Sequence, residues 1–110
     1  MAEIRKVLGQ SNPAAATLTT LYTVPSSTQA IVSTLTVVNR SGGTPTGFRL
    51  SVAVAGAADS LEQYLYYDLL VPATDTFTAT LGVTLGATDV VRVYATLATL
   101  SFNLYGIELT

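Results

Sequence analysis

The feature that most constrains this chain is a run of strict alternation near its C-terminal end. In LGVTLGATDVVRVYATLATLSFNLYGIEL, residues 81–109, Val91, Val93, Ala95 and Leu97 fall on one face of an extended chain. Arg92, Tyr94, Thr96 and Ala98 fall on the other. After a turn near Thr99, Phe102 and Leu104 again share a face, until Gly106 interrupts the pattern. A bulge at that glycine would return Ile107 and Leu109 to the face of Phe102 and Leu104. A period of two sustained this long predicts half-buried antiparallel sheet. Two strands cannot hide so much apolar surface by themselves, so a second sheet or another subunit must cover it.

The preceding sequence supplies the material for that second sheet. Leu18 to Val24 reads as a first strand, closed by the turn Pro25-Ser26-Ser27-Thr28. Gln29 to Arg40 is a long strand, with Ile31, Leu35 and Val37 on one face and Val32 and Val38 on the other. Apolar residues on both faces predict a central strand or one that meets a partner. NRSGGTPTG, residues 39–47, is loop, because adjacent glycines and a proline leave no regular element. Gly47 to Val54 alternates Phe48, Leu50, Val52 and Val54 against Arg49, Ser51 and Ala53. A helical turn can start near Asp59 or Ser60, and Leu61 to Val71 suits either helix or strand. Thr76 to Leu81 alternates again, and Gly82 and Gly86 bracket a short connection.

The strand-and-turn rhythm predicts an all-β protein: an antiparallel β-sandwich, jelly-roll or Ig-like, of seven to eight strands. With 110 residues the chain makes one domain. Residues 17–110 are expected to form the sandwich. Residues 1–16 carry mixed charges, Gly9, Pro13 and an alanine triplet, and are expected to be an extended arm. Such an arm is either disordered or docked on a neighbour, and its contacts would be Ile4, Val7 and Leu8.

Charge narrows the function classes. Only 11% of residues are charged, against roughly 25% in ordinary soluble domains. A threonine-rich sheet surface accounts for this, and so does a surface covered by neighbours in an assembly. The net charge is −2 and the five basic residues, Arg5, Lys6, Arg40, Arg49 and Arg92, form no stripe. Nucleic acid is therefore not an expected partner. No run has the length of a membrane-spanning helix, so no membrane partner is expected. The N-terminus lacks the apolar core of a secretory signal, which predicts synthesis in the cytoplasm.

Histidine and cysteine are absent. Their absence removes the commonest general base, the commonest metal ligand and the Ser-His and Cys-His nucleophile pairs. The acids are Glu3, Asp59, Glu62, Asp68, Asp75, Asp89 and Glu108. Asp59, Asp75 and Asp89 sit in turns, where aspartate hydrogen-bonds its local backbone. There is no calcium-loop spacing, and Ser41-Gly42-Gly43-Thr44 lacks the continuation of a phosphate loop. The expectation is a protein with neither catalytic residues nor cofactor. Tyr64, Tyr66 and Tyr67 are the remaining concentration of chemistry. On a regular strand Tyr64 and Tyr66 share one face and Leu65 and Tyr67 the other. Half-buried strand tyrosines, a subunit interface and a carbohydrate site all fit this pattern.

Several segments, read in order, carry a resemblance. They are ATLTTLYTVP at 16–25, IVSTLTVVNR at 31–40, YLYYD at 64–68, DTF at 75–77 and LGATDVVRVY at 85–94. This series resembles small virion structural proteins of tailed bacteriophages, which are β-sandwich or jelly-roll modules of capsid decoration, tail and fibre. At the last turn many such proteins carry glycine before the aspartate, where this chain has Thr88. The resemblance implies a homo-oligomeric structural protein, foremost a capsid decoration (cement) protein. It would be located in the virion and contact copies of itself, as a trimer or higher, together with the major capsid protein or tail proteins. A tail, baseplate, collar or fibre component is the alternative. A carbohydrate-binding β-sandwich is the alternative of another class.

Overall fold

A computed structural model describes residues 2–110. It contains β1 (Glu3–Ser11), β2 (Thr19–Thr23), β3 (Gln29–Asn39), β4 (Thr46–Ala53), β5 (Tyr64–Val71), β6 (Thr76–Leu85), β7 (Val90–Ala95) and β8 (Leu100–Leu109). Short 3-10 turns cover Val54–Gly56 and Leu61–Gln63. The ambiguous segment 61–71 is therefore one such turn followed by a strand. The strands form two antiparallel four-stranded sheets, in the orders β1-β8-β3-β6 (sheet I) and β2-β7-β4-β5 (sheet II).

The pairing follows a simple rule. First pairs with last, second with seventh, third with sixth and fourth with fifth, and the pairs alternate between the sheets. This is one long antiparallel ribbon rolled up on itself, so of the two expected sandwiches the chain adopts the jelly roll. One consequence is that β7 and β8, consecutive in sequence, lie in opposite sheets and do not form a hairpin. Their inner faces meet across the core, where Val91, Val93 and Ala95 confront Leu100, Phe102 and Leu104, all buried. Phe48 joins the sheets at the centre, with ring centroids 5.8 Å from Phe102 and 5.5 Å from Phe77.

Three expectations are corrected by this architecture. The first concerns the arm. Residues Glu3–Ser11 pair along their length with β8, and residues 12–16 are tied down as well. Asn12 Nδ2 donates to the carbonyls of Ala98 and Leu100, both at 3.2 Å, and Ala16 N–H donates to Ala95 O at 2.8 Å. The segment is a strand because β8 offers it a ladder and because position 9 is glycine. A Cβ there would lie 2.2 Å from the Leu21 carbonyl oxygen, where β1 crosses over β2.

The second correction concerns Gly106. β8 does not bulge there, and its alternation continues through Leu100, Phe102, Leu104, Gly106 and Glu108 on the inner face. The extra residues are in its neighbours, Leu8 in β1 and Ser33 in β3. Both strands press toward the missing side chain. A Cβ on Gly106 would lie 2.2 Å from Ile31 O and 2.8 Å from Leu8 Cδ1. Ile107 and Leu109 consequently face outward, and Glu108 is buried instead. The same bulge reverses the phase of β3, so Val32 joins Leu35 and Val37 inside while Ile31 faces out.

The third correction is that Gly82 does not end a strand. β6 runs on to Leu85, and Gly82 takes φ +65° within a bulge opposite Ser33.

Candidate functional site

The tyrosines lie on β5, an edge of sheet II. β5 departs from regular geometry twice. Leu50 pairs with Tyr66 and Ser51 with Tyr64, so Leu65 is an extra residue. Between the Phe48–Leu69 and Leu50–Tyr66 pairs a second extra residue is accommodated, with Asp68 in the left-handed region at φ 56°. These bulges redistribute the side chains. Tyr66 turns inward, with ring centroids 5.7 Å from Phe48 and 5.3 Å from Phe77. Leu65, at the half-open side between the sheets, lines a small apolar cavity with Leu81 and Val83 while keeping part of its side chain in water. Tyr64 and Tyr67 meet on the outer face, edge to face at 5.1 Å. The expected sharing of faces, Tyr64 with Tyr66 and Leu65 with Tyr67, is thus overturned.

The outer pair belongs to a larger cluster. Arg49 on β4 lies over Tyr67, its Cζ 4.1 Å from the ring centroid, and over Tyr94 on β7 at 4.4 Å. The same guanidinium holds Asp68 with two hydrogen bonds, Nε to Oδ1 at 2.6 Å and Nη2 to Oδ2 at 3.3 Å. These bonds raise the Arg49 pKa above its ordinary value. Tyr64 donates its hydroxyl to Asp59, with the two carboxylate oxygens at 2.9 and 3.0 Å. Partial burial, followed by this carboxylate, pushes the Tyr64 phenol pKa up. Beneath Tyr64, the Ser51 hydroxyl is buried without a hydrogen-bond partner.

Acids expected in turns divide accordingly. Asp89 accepts from the backbone N–H of Gly86 and of Ala55, both at 2.8 Å, and Asp75 accepts from Thr76 N–H at 2.8 Å. Asp59 serves Tyr64 instead. Among the described residues no group of three or more acidic side chains is placed to hold a metal ion. The carboxylates near the rings are already bound to Arg49 and Tyr64. What the cluster offers chemically is an aromatic surface whose one guanidinium is already paired with Asp68.

Of the remaining candidate contact residues, Leu8 is 8% exposed and belongs to the core, which removes it from any interface. Ile4 and Val7 are exposed on β1. Exposed apolar side chains concentrate elsewhere, around β5: Leu61 (80%), Leu70 (65%) and Leu65 (46%), joined by Leu69 and Tyr67. Arg49, Asp68 and Tyr94 were not among the residues the sequence singled out. Their outward alternation is visible in the sequence, but their meeting depends on β4 lying between β7 and β5.

A second buried polar group lies on the opposite side of the molecule. Tyr22 on β2 donates its hydroxyl to Glu108 Oε2 on β8 at 2.6 Å, and Lys6 Nζ lies 3.6 Å from Oε1. Burial, then the hydrogen bond and charge of Glu108, raise the Tyr22 pKa well above its ordinary 10.0. This trio ties sheet II to sheet I.

Among the described residues no helix is long and apolar enough to cross a membrane. No family model matches the chain, and neither does any curated protein or solved structure compared with it.

Proposed function

We propose that this chain is a non-enzymatic structural protein of a tailed-bacteriophage virion, foremost a capsid decoration protein, that works by contact with copies of itself and with other virion proteins. The observation that carries the assembly reading is the side of the sandwich formed by β5 and β6. Leu61, Leu65 and Leu69 leave apolar surface open to water there, beside a strand with no charged residue, and Leu70 is exposed on the adjoining outer face of sheet II. A grouped apolar surface on a chain with so few charges is what an interface leaves exposed when its partner is absent. Individually weak contacts of this kind hold when they are repeated over a lattice. The virion location rests on the resemblance of the segments quoted above. A tail, baseplate, collar or fibre position uses the same surfaces.

A carbohydrate-binding reading has one observation in its favour. Tyr64 and Tyr67 stand beside Asp59 and Asp68, the kind of polar company that sugar recognition uses. Against it, Arg49 covers one face of both Tyr67 and Tyr94, and both acids are already hydrogen-bonded.

Mass spectrometry of particles purified from the source culture tests the virion reading. Peptides of this chain at a fixed ratio to a capsid or tail protein are expected. Their absence from intact particles overturns it. Native mass over a concentration series tests self-assembly separately, and a monomer at millimolar concentration would remove that part.

A further inference from the structure

The four sheet edges are not equally protected. β1 carries Glu3, Arg5 and Lys6 and bulges at Leu8. β2 has five residues and bulges at Leu21. β5 bulges twice and carries Asp68. Charges, bulges and shortness are the devices that stop an edge from pairing with another chain. β6 differs. It is ten residues long, TFTATLGVTL, has no charge and no proline, and stands at the free edge of sheet I. Its one irregularity, at Leu81–Gly82, leaves Thr76–Thr80 as a regular run. Alternate residues of this run direct their N–H and C=O groups away from β3 with no strand beyond them.

The run is also nearly symmetric about its centre. Thr76, Thr78 and Thr80 are exposed on the outer face, and Phe77 and Ala79 face inward. We infer that Thr76–Thr80 of β6 pairs antiparallel with the same run of a second copy, around a two-fold axis at Thr78. This rests on the assembly reading above and names its surface. In that register Thr76 meets the partner's Thr80, and Thr78 meets the partner's Thr78. Phe77 meets the partner's Ala79, so a large side chain lies beside a small one on the inner face. Cross-strand threonine pairs are favourable, and like charges directly opposite are not. A strand that meets its own copy across a two-fold axis brings any charge near the axis close to itself, so an uncharged run suits this partner above others. The seam joins two four-stranded sheets into one of eight strands. It also places the partner beside the exposed leucines of β5. The contact is isologous, so it closes on itself and leaves the remaining surface for other neighbours.

The chain has no cysteine, so a single introduced thiol reports one contact. Thr78→Cys is expected to yield a disulfide-linked dimer as the main product of mild oxidation. Thr20→Cys, exposed on β2 at the far edge, is expected to remain uncrosslinked under the same conditions. In parallel, native masses of the wild type and of Thr78→Lys are compared, with circular dichroism to establish that both are folded. An even-numbered wild-type oligomer whose mass halves in Thr78→Lys supports the seam. A discrete trimer, or a dimer unchanged by the lysine, overturns the seam and leaves the assembly reading standing. A wild type that is monomeric at millimolar concentration overturns both self-assembly and the seam.

Discussion

The two long sides of this sandwich are closed by different means. On one side β1 crosses β2 so tightly that backbone meets backbone, with Gly9 against the Leu21 carbonyl. The Tyr22–Glu108–Lys6 trio pins the sheets a few residues away. On the other side β5 and β6 are kept apart by side chains. Tyr66 and Phe77 wedge between the sheets, and Leu65 opens to solvent beside them. The closed side carries the charges of β1, whereas β6 on the open side has none. A side finished by backbone contact and buried hydrogen bonds is complete within one chain. A side finished by side chains, beside an edge with no charge, leaves apolar surface in water.

The largest expected effect comes from breaking the closed side. Gly9→Ala forces a Cβ into a carbonyl that cannot yield without moving two strands. The expected loss is about 4 kcal/mol in urea unfolding, the scale of a severe backbone or packing clash. An unchanged midpoint would mean that the two strands do not meet there. Tyr66→Ala tests the open side. It removes a half-buried ring from the Phe48–Phe77 cluster, and a loss of about 2.5 kcal/mol is expected. If the wedge is local, β1 and β2 should keep their amide-exchange protection in this variant.

Tyr22→Phe sharpens the comparison by removing one hydrogen bond from the closed side and leaving its shape intact. A hydrogen bond to a charged group contributes about 2 kcal/mol, so a loss of that order is expected near neutral pH. The pH dependence has a definite sign. The folded-state pKa of Tyr22 is raised above its ordinary 10.0, so the folded protein favours the protonated phenol. The associated stability is fully present below pH 10 and declines as the pH rises above it, by about 1.4 kcal/mol per pH unit from this group. The phenylalanine variant should lose stability less steeply in the same window. Parallel alkaline limbs would show that Tyr22 is not buried against Glu108. The smallest effect is expected from Arg49→Met on the outer face of the open side. The Arg49–Asp68 pair is partly exposed, and such pairs contribute about 0.5 kcal/mol. The midpoint should barely move, although the stacking of Tyr67 and Tyr94 on the guanidinium should disappear from near-ultraviolet circular dichroism.

Much of this contrast was legible in part. The alternation in β4, β7 and the first half of β6 gave their faces correctly, since a period of two needs no tertiary information where the strand is regular. Turn aspartates at positions 75 and 89 were legible for the same local reason. Thr88 is an instructive case. It stands where the resemblance has glycine, and it adopts φ 66°, the left-handed conformation that glycine takes without strain. What failed was every position where two strands differ in length. At Leu8, Ser33 and Leu65 the extra residue shifts the phase, and the shift has meaning only against a neighbouring strand.

The sequence by itself determined that the chain is all-β and sandwich-like, and which residues of the regular strands face inward. It also determined that histidine and cysteine chemistry is absent, because these properties follow from local alternation and residue type. Only the tertiary structure decided that residues 3–11 are a strand and that Glu108 is buried while Ile107 is not. It likewise decided that Tyr64 and Tyr67, rather than Tyr64 and Tyr66, stand together, and that β6 is left as an unguarded edge. The physical reason is common to all of these. Edges, bulges and buried polar ties are relations between strands far apart in sequence, and the roll of the ribbon, not any one segment, sets which strands become neighbours.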